Sequence, residues 1–124
     1  MPHTIMCITG GDDMKELIES YFLELRRGVL ILGVLSQLAN KEYGYSLIQK
    51  LQDNHFEIEA GTLYPLLRRL EKQGLLESSW ELIENRPRRY YQISEQGVIL
   101  YEQLKKEYFD MNAIISQLTQ GERT

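Results

Sequence analysis

The 124-residue chain is poor in the residues on which most enzymes depend. It has one cysteine, Cys7, and two histidines, His3 and His55. A single cysteine leaves no internal disulfide, which fits a reducing, cytoplasmic location. The two histidines and a tail cysteine offer no base–nucleophile pair, and no cysteine–histidine spacing suggests a metal site. A phosphate-cradling glycine loop of the P-loop or dinucleotide type is missing too. Together these gaps point away from an enzyme, a metalloprotein or a cofactor carrier. His55 reads as a turn residue.

Long apolar runs are also missing. The longest, Gly28 to Leu35, is far too short to cross a bilayer. The N-terminus lacks a basic region followed by an apolar stretch, which predicts no signal peptide. Finally, there is no overall excess of positive charge: the net charge is −4 and the sequence pI about 5.2. By itself that argues against nucleic acid. The distribution says otherwise. Arg68, Arg69, Lys72, Arg86, Arg88 and Arg89 all fall between residues 62 and 92, while acidic residues crowd 12–24 and 95–110. A dimer can then show one basic face and an acidic remainder.

Hydrophobic residues make up 43% of the chain, enough for a core. Residues 1–11 read as a loose tail closed by the breaker Gly10-Gly11, with Asp12 or Asp13 able to cap the helix after it. Met14, Leu17, Ile18, Tyr21, Phe22 and Leu25 recur at helical steps and need a partner surface. From Val29 to Leu38 the helix becomes apolar on nearly all sides, so it crosses the core, and Gly28 marks a bend or a close crossing. Asn40-Lys41-Glu42 predicts a turn and Gly44–Asp53 a short second helix. A third helix starts near Ala60 to Thr62 and stops at Gly74. Two short helices in tight succession, the second rich in cations, outline a helix-turn-helix. Runs over Leu75–Ile83 and Arg88–Ile93, separated by a turn at 84–87, form a β-hairpin or wing, with Tyr91 and Ile93 inward. Ser94 caps a final helix reaching about Gln120.

The third helix carries the argument. Leu63, Leu66, Leu67 and Leu70 form an i, i+3, i+4, i+7 stripe that faces the core. Thr62, Tyr64, Pro65, Arg68, Arg69 and Lys72 are left for other faces. Pro65, read as lying in the first turn, is tolerated where amides lack intrahelical partners. Gly61 lets a phosphate approach the helix N-terminus. An ordinary solvated helix is the plain alternative. The neighbouring helix and the basic hairpin favour a polyanion instead, with Arg86, Arg88 and Arg89 positioned to enter a minor groove or clamp phosphates. Arg88 and Arg89 point to opposite faces of a strand, so one of the two can be structural. On the final helix, Tyr101, Leu104, Tyr108, Met111, Ile115 and Leu118 step by three and four alternately. Such a seam packs on its own domain or pairs with another helix; the unpartnered stripe on the first helix favours a homodimer.

Tyr43-Gly44-Tyr45-Ser46-Leu47, the run Gly61 to Glu71 (GTLYPLLRRLE), Gly74-Leu75-Leu76, and Arg88 to Ser94 (RRYYQIS) through Gly97 resemble the PadR family of transcriptional regulators. The resemblance runs from about Leu23 to Leu118. It implies a mainly α fold with a small β-hairpin: an N-terminal helix and winged helix-turn-helix DNA-binding domain over residues 12–94 and a C-terminal dimerisation helix over 95–120. It further implies a homodimer that binds a near-palindromic operator through helix 60–74 and wing 75–94, usually as a repressor. The expected DNA-contacting residues are Tyr45, Ser46, Thr62, Tyr64, Pro65, Arg68, Arg69, Lys72, Arg86, Arg88 and Arg89. Some small members of the family bind flat aromatic molecules at the dimer interface, using a tryptophan of the final helix. Here the only tryptophan, Trp80, lies on the first wing strand, and Tyr21, Phe22, Tyr108 and Phe109 are the candidate lining for an aromatic effector. A winged-helix protein-interaction module without DNA binding is the alternative function.

Overall fold

The computed structural model describes residues 11–121, in two compact units, Met1–Leu30 and Ile31–Thr124. The tail expected over residues 1–10 lies outside the described residues. Helix α1 (Gly11–Ser36) runs through both units. It starts at Gly11, so Asp13 falls inside the first turn and not ahead of it. Within the first unit, Met14, Leu17, Ile18, Tyr21, Phe22 and Leu25 are all exposed.

The second unit begins with the buried end of α1, where Val34 and Leu35 enter the core with Leu38 just beyond. A close crossing does exist on this helix, but at Gly33 and not at Gly28. A Cβ on Gly33 would fall within 3 Å of the Phe56 ring, whereas Gly28 has nothing within 4 Å. The segment expected to be only a turn contains a two-residue strand, β1 (Glu42–Tyr43). Helices α2 (Gly44–Asp53) and α3 (Ala60–Lys72) come next. Strands β2 (Leu76–Ile83) and β3 (Arg86–Ile93) form the wing, and α4 (Glu95–Gly121) ends the described chain. The sheet is therefore three-stranded and antiparallel in the order β1-β3-β2, with Tyr43 opposite Tyr90 and Leu76 opposite Ile93.

The wing turn is tighter than its composition suggests. Only Glu84 and Asn85 lie between the strands, with φ of 52° and 64°. Positive φ at both central residues twists the chain with the right-handed strands, which four turn residues would not require. Arg86 and Pro87 consequently join β3. Pro87 lies beyond the stretch that β1 covers, so one flank of β3 is open there, where a strand proline is tolerated.

The core is an aliphatic cluster of Val34, Leu35, Leu38, Leu47, Leu51, Leu63, Leu67, Leu70 and Leu76, closed by Tyr91. At its edge, Gly74 takes φ 81° after α3. The Ser94 hydroxyl donates to the Gly74 carbonyl at 2.6 Å and accepts from the Gly97 amide at 3.0 Å. One serine thus ties the end of α3 to the start of α4.

Candidate nucleic-acid interface

On α3 the leucine stripe at 63, 66, 67 and 70 is buried, while Thr62, Pro65, Arg68, Arg69 and Lys72 are exposed. The helix starts at Ala60, where the Glu59 carbonyl accepts from the Thr62 and Leu63 amides. Pro65 is therefore the sixth helical residue, in the second turn, not the first. At that position its ring meets the carbonyl of residue 61, four back, and Gly61, with open space around its Cα, gives the local backbone freedom to absorb this.

Tyr64, expected on the open side of α3, is instead half-buried. Its ring lies against Gly44, where a Cβ would come within 2.3 Å of the ring edge. The tyrosine locks the start of α2 onto α3, and Gly44 is the residue that permits it. Ser46 also faces inward. Its hydroxyl accepts from the Tyr43 amide at 3.0 Å and sits 2.9 Å from the Glu42 carboxylate, which also pairs with Lys50 at 2.7 Å. Tyr45, next to it, is exposed.

The wing lays its two arginines on opposite faces. Arg89 shares the face that packs on α3. It donates to Glu71 of α3 at 2.9 and 3.0 Å and to the Ser78 hydroxyl at 3.0 Å, while Ser78 donates to Glu71 at 2.5 Å. Arg88 lies on the other face, 5.1 Å from the Tyr45 ring, with its Nε buried and unpartnered among the described residues. Tyr45 stacks on Tyr43 at 5.7 Å, Tyr43 meets Tyr90 edge-on, and Lys41 caps Tyr90 at 4.4 Å. Tyr43 also donates a short hydrogen bond to Glu81. That bond, with smaller contributions from burial and the carboxylate charge, pushes the Tyr43 phenol up to about 12. Burial pushes Tyr91 up as well. Arg86 is exposed near the wing tip.

Between α3 and the wing lies an open groove of about 690 Å³, lined by Pro65, Arg68, Arg69, Glu71, Lys72 and Arg89. Four cations face one carboxylate there, and Arg89 already occupies that carboxylate. Arg68, Arg69 and Lys72 stand in solvent at helical spacing, an arrangement that attracts a polyanion longer than a single phosphate. Sequence reasoning missed the role of Glu71, which draws Arg89 to the groove wall. Their spacing of 18 residues joins a helix to a strand, and no local pattern announces it.

On α4, Tyr101 and Leu104 are half-buried, whereas Tyr108, Met111, Ile115 and Leu118 are exposed. Tyr108 and Phe109 meet edge to face at 5.1 Å. Tyr21 and Phe22 are exposed on the N-terminal part of α1. Among the described residues no group of three or more histidine, cysteine or acidic side chains is arranged to hold a metal, and no helix is long and apolar enough to cross a membrane.

Comparison with known proteins adds a consistent set of matches. The family described as the transcriptional regulator PadR-like family matches residues 31–103. A transcriptional regulator of Mycobacterium tuberculosis is 37% identical over 75 residues, covering 60% of this chain and 70% of that protein. The solved structure of a PadR family transcriptional regulator from Eggerthella lenta is similar at 40% identity and a TM-score of 0.80, over 86% of this chain and 95% of that one. A PadR-like transcriptional regulator from Bacillus cereus is similar at 29% identity and a TM-score of 0.70, over 78% and 97%.

Proposed function

We propose that this chain, which belongs to the PadR-like family of transcriptional regulators, not to a family of enzymes, is a homodimeric repressor that binds a near-palindromic operator. The observation that carries this reading is the α3–wing groove, where Arg68, Arg69 and Lys72 project into solvent from the back of a helix whose front is fully buried. A helix held that rigidly can enter a major groove without losing further conformational freedom, and the cations beside it release counter-ions from the phosphates they neutralise. The exposed distal seam of α4 supports pairing with a second copy. A two-fold pair presents two grooves, and two half-sites related by the same symmetry make the operator near-palindromic. A dimer seated on such a site represses by excluding other proteins from it.

The test is to select duplexes from a random pool with the full chain, then follow affinity against salt. We expect an inverted-repeat consensus and a log K that falls steeply and linearly with log salt. Arg68→Ala with Arg69→Ala should weaken binding by about 1–3 kcal/mol for each side chain that reads a base edge. Selection that enriches no sequence, or affinity indifferent to salt, would leave the protein-interaction module as the better reading.

A further inference from the structure

The cations of the groove end at Arg89, but the face of the wing does not. Directly opposed residues of an antiparallel pair share a face. Trp80 opposes Arg89, and Leu82 opposes Pro87. The face that meets α3 through Leu76, Tyr91 and Arg89 therefore continues toward the turn as Trp80, Leu82 and Pro87. These three are not core. Trp80 is 63% exposed, Leu82 is 70% exposed, and Pro87 is exposed as well. The opposite face of the same stretch carries Arg86, Glu81 and Arg88, with Ile83 half-buried opposite Arg86. A two-stranded tip with no core to build thus has one mainly charged side, which keeps Ile83, and one apolar side, and the apolar side is the one continuous with the basic groove.

Trp80 is also held in place. The Arg89 guanidinium, fixed by Glu71 and Ser78, lies 5.5 Å from the centre of its ring. The indole begins where the groove's cations stop and is braced by the last of them. A ligand drawn into the groove by its phosphates is thereby laid against an apolar strip. Duplex DNA has a surface for that strip: its sugars and base edges are far less polar than its phosphates, and minor-groove binders frequently insert apolar side chains there.

We propose that Trp80, Leu82 and Pro87 form an apolar contact strip that docks on the sugar rims and base edges of a minor groove and supplies the salt-insensitive part of operator affinity. This rests on the reading of the chain as a duplex-binding protein. It assigns the wing two distinct surfaces, one electrostatic and one apolar, with Arg89 joining them.

The experiment uses the full chain and a duplex selected by it. Trp80→Ala, Leu82→Ser and Arg68→Ala are each titrated over a range of salt concentrations. Trp80→Ala should weaken binding about tenfold, as expected for losing most of a buried aromatic contact, at every salt concentration. Its slope of log K against log salt should match that of the unaltered protein, and Leu82→Ser should show the same pattern with a smaller offset. Arg68→Ala should instead make the slope shallower by about 1. Because Trp80 is the only tryptophan, emission from the unaltered protein reports the contact directly and should change on binding. Unchanged affinity in both wing variants, with no change in emission, would overturn the strip while leaving the duplex-binding reading intact. A wing variant that alters the slope and not the offset would also overturn it. Failure of the unaltered protein to bind any selected duplex would bring down both readings. Both substituted side chains are largely solvent-exposed, and a circular-dichroism melt close to that of the unaltered protein confirms that the variants are folded.

Discussion

Helices α3 and α4 carry apolar residues at the same spacing, with opposite outcomes in the single chain. In α3 the stripe is closed on every side, and Leu67 has no exposed surface. In α4 the seam is half-covered at Tyr101 and Leu104 and then open, with Leu118 66% exposed. Period alone does not distinguish a stripe that completes a domain from one that awaits a partner. The distinction lies in what the topology sets opposite. The stripe of α3 meets α2 and the sheet, whereas α4 is 27 residues long and extends past the body it starts from. The helix therefore differs along its length: its start, at Gly97, packs against Leu75 and Ile93, and its later turns expose the apolar edge.

The strongest way to break this comparison is to damage both stripes. Leu67→Ala opens a cavity in a closed cluster and should cost about 3 kcal/mol of unfolding free energy, whatever the protein concentration. Ile115→Asp with Leu118→Asp puts charges on surface that is already wet in one chain but would be buried in a pair. Its effect should depend on concentration: dissociation at micromolar protein, with the melting of the winged part little changed once dilution has separated the unaltered protein as well. Sedimentation velocity and thermal melts over a dilution series measure both. A double variant that sediments like the unaltered protein would move the interface away from α4.

A smaller effect sharpens the boundary between the two regions, where α4 leaves the core. A Cβ on Gly97 would lie 2.2 Å from the Leu75 carbonyl oxygen and 2.6 Å from the Ile93 side chain. The carbonyl belongs to backbone that already accepts from the Ser94 amide, so it cannot easily retreat. Gly97→Ala should therefore cost about 2–3 kcal/mol, the upper part of the overpacking range. The atoms nearest a Cβ on Gly44 all belong to the Tyr64 side chain, which yields more readily than backbone, so Gly44→Ala should cost nearer to about 1 kcal/mol. Chemical denaturation of the two variants side by side checks the order. If Gly44→Ala proves the costlier, the Tyr64 ring is fixed more firmly than the α4 start.

Much of the fold is readable in the sequence because it depends on local rules. Helix α2 occupies the expected span, α3 starts at Ala60, Gly74 comes after its end with positive φ, and Ser94 caps α4. The features that sequence hides involve partners distant along the chain. Strand β1 is two residues long and exists only because β3, far along the chain, lies alongside it. Helix geometry alone sets Tyr64 outward, since it cannot reveal that α2 begins with a glycine against its ring. Strand alternation sets Arg88 and Arg89 on opposite faces, as observed, but only the position of Glu71 on α3 determines which of them is tied to the groove wall.

The smallest predicted effect concerns the outer sheet face, where Tyr43 joins β1 to the wing through Glu81. With its phenol raised from 10.0 to about 12, chiefly by donating to that carboxylate, the neutral form of Tyr43 is favoured in the folded chain. The folded state then holds this proton more tightly than the unfolded state does. The resulting stability is fully present below pH 10 and is lost as pH rises through about 12. Tyr43→Phe keeps the ring contacts with Tyr45 and Tyr90 and removes only the hydroxyl. It should be less stable than the unaltered protein at neutral pH, and the two stability curves should draw together as pH climbs across that window. Burial of Tyr91 acts in the same direction, but it is common to both proteins and cancels in the difference. Urea unfolding at successive alkaline pH values gives the two curves, and tyrosinate absorbance should show the variant missing one tyrosine that ionises only near pH 12. Curves that stay parallel through the window would mean that Tyr43 is not held by Glu81 in solution. The outer face of the wing would then be held by the β1 pairing and by the Arg88–Tyr45 and Lys41–Tyr90 contacts, without the hydroxyl.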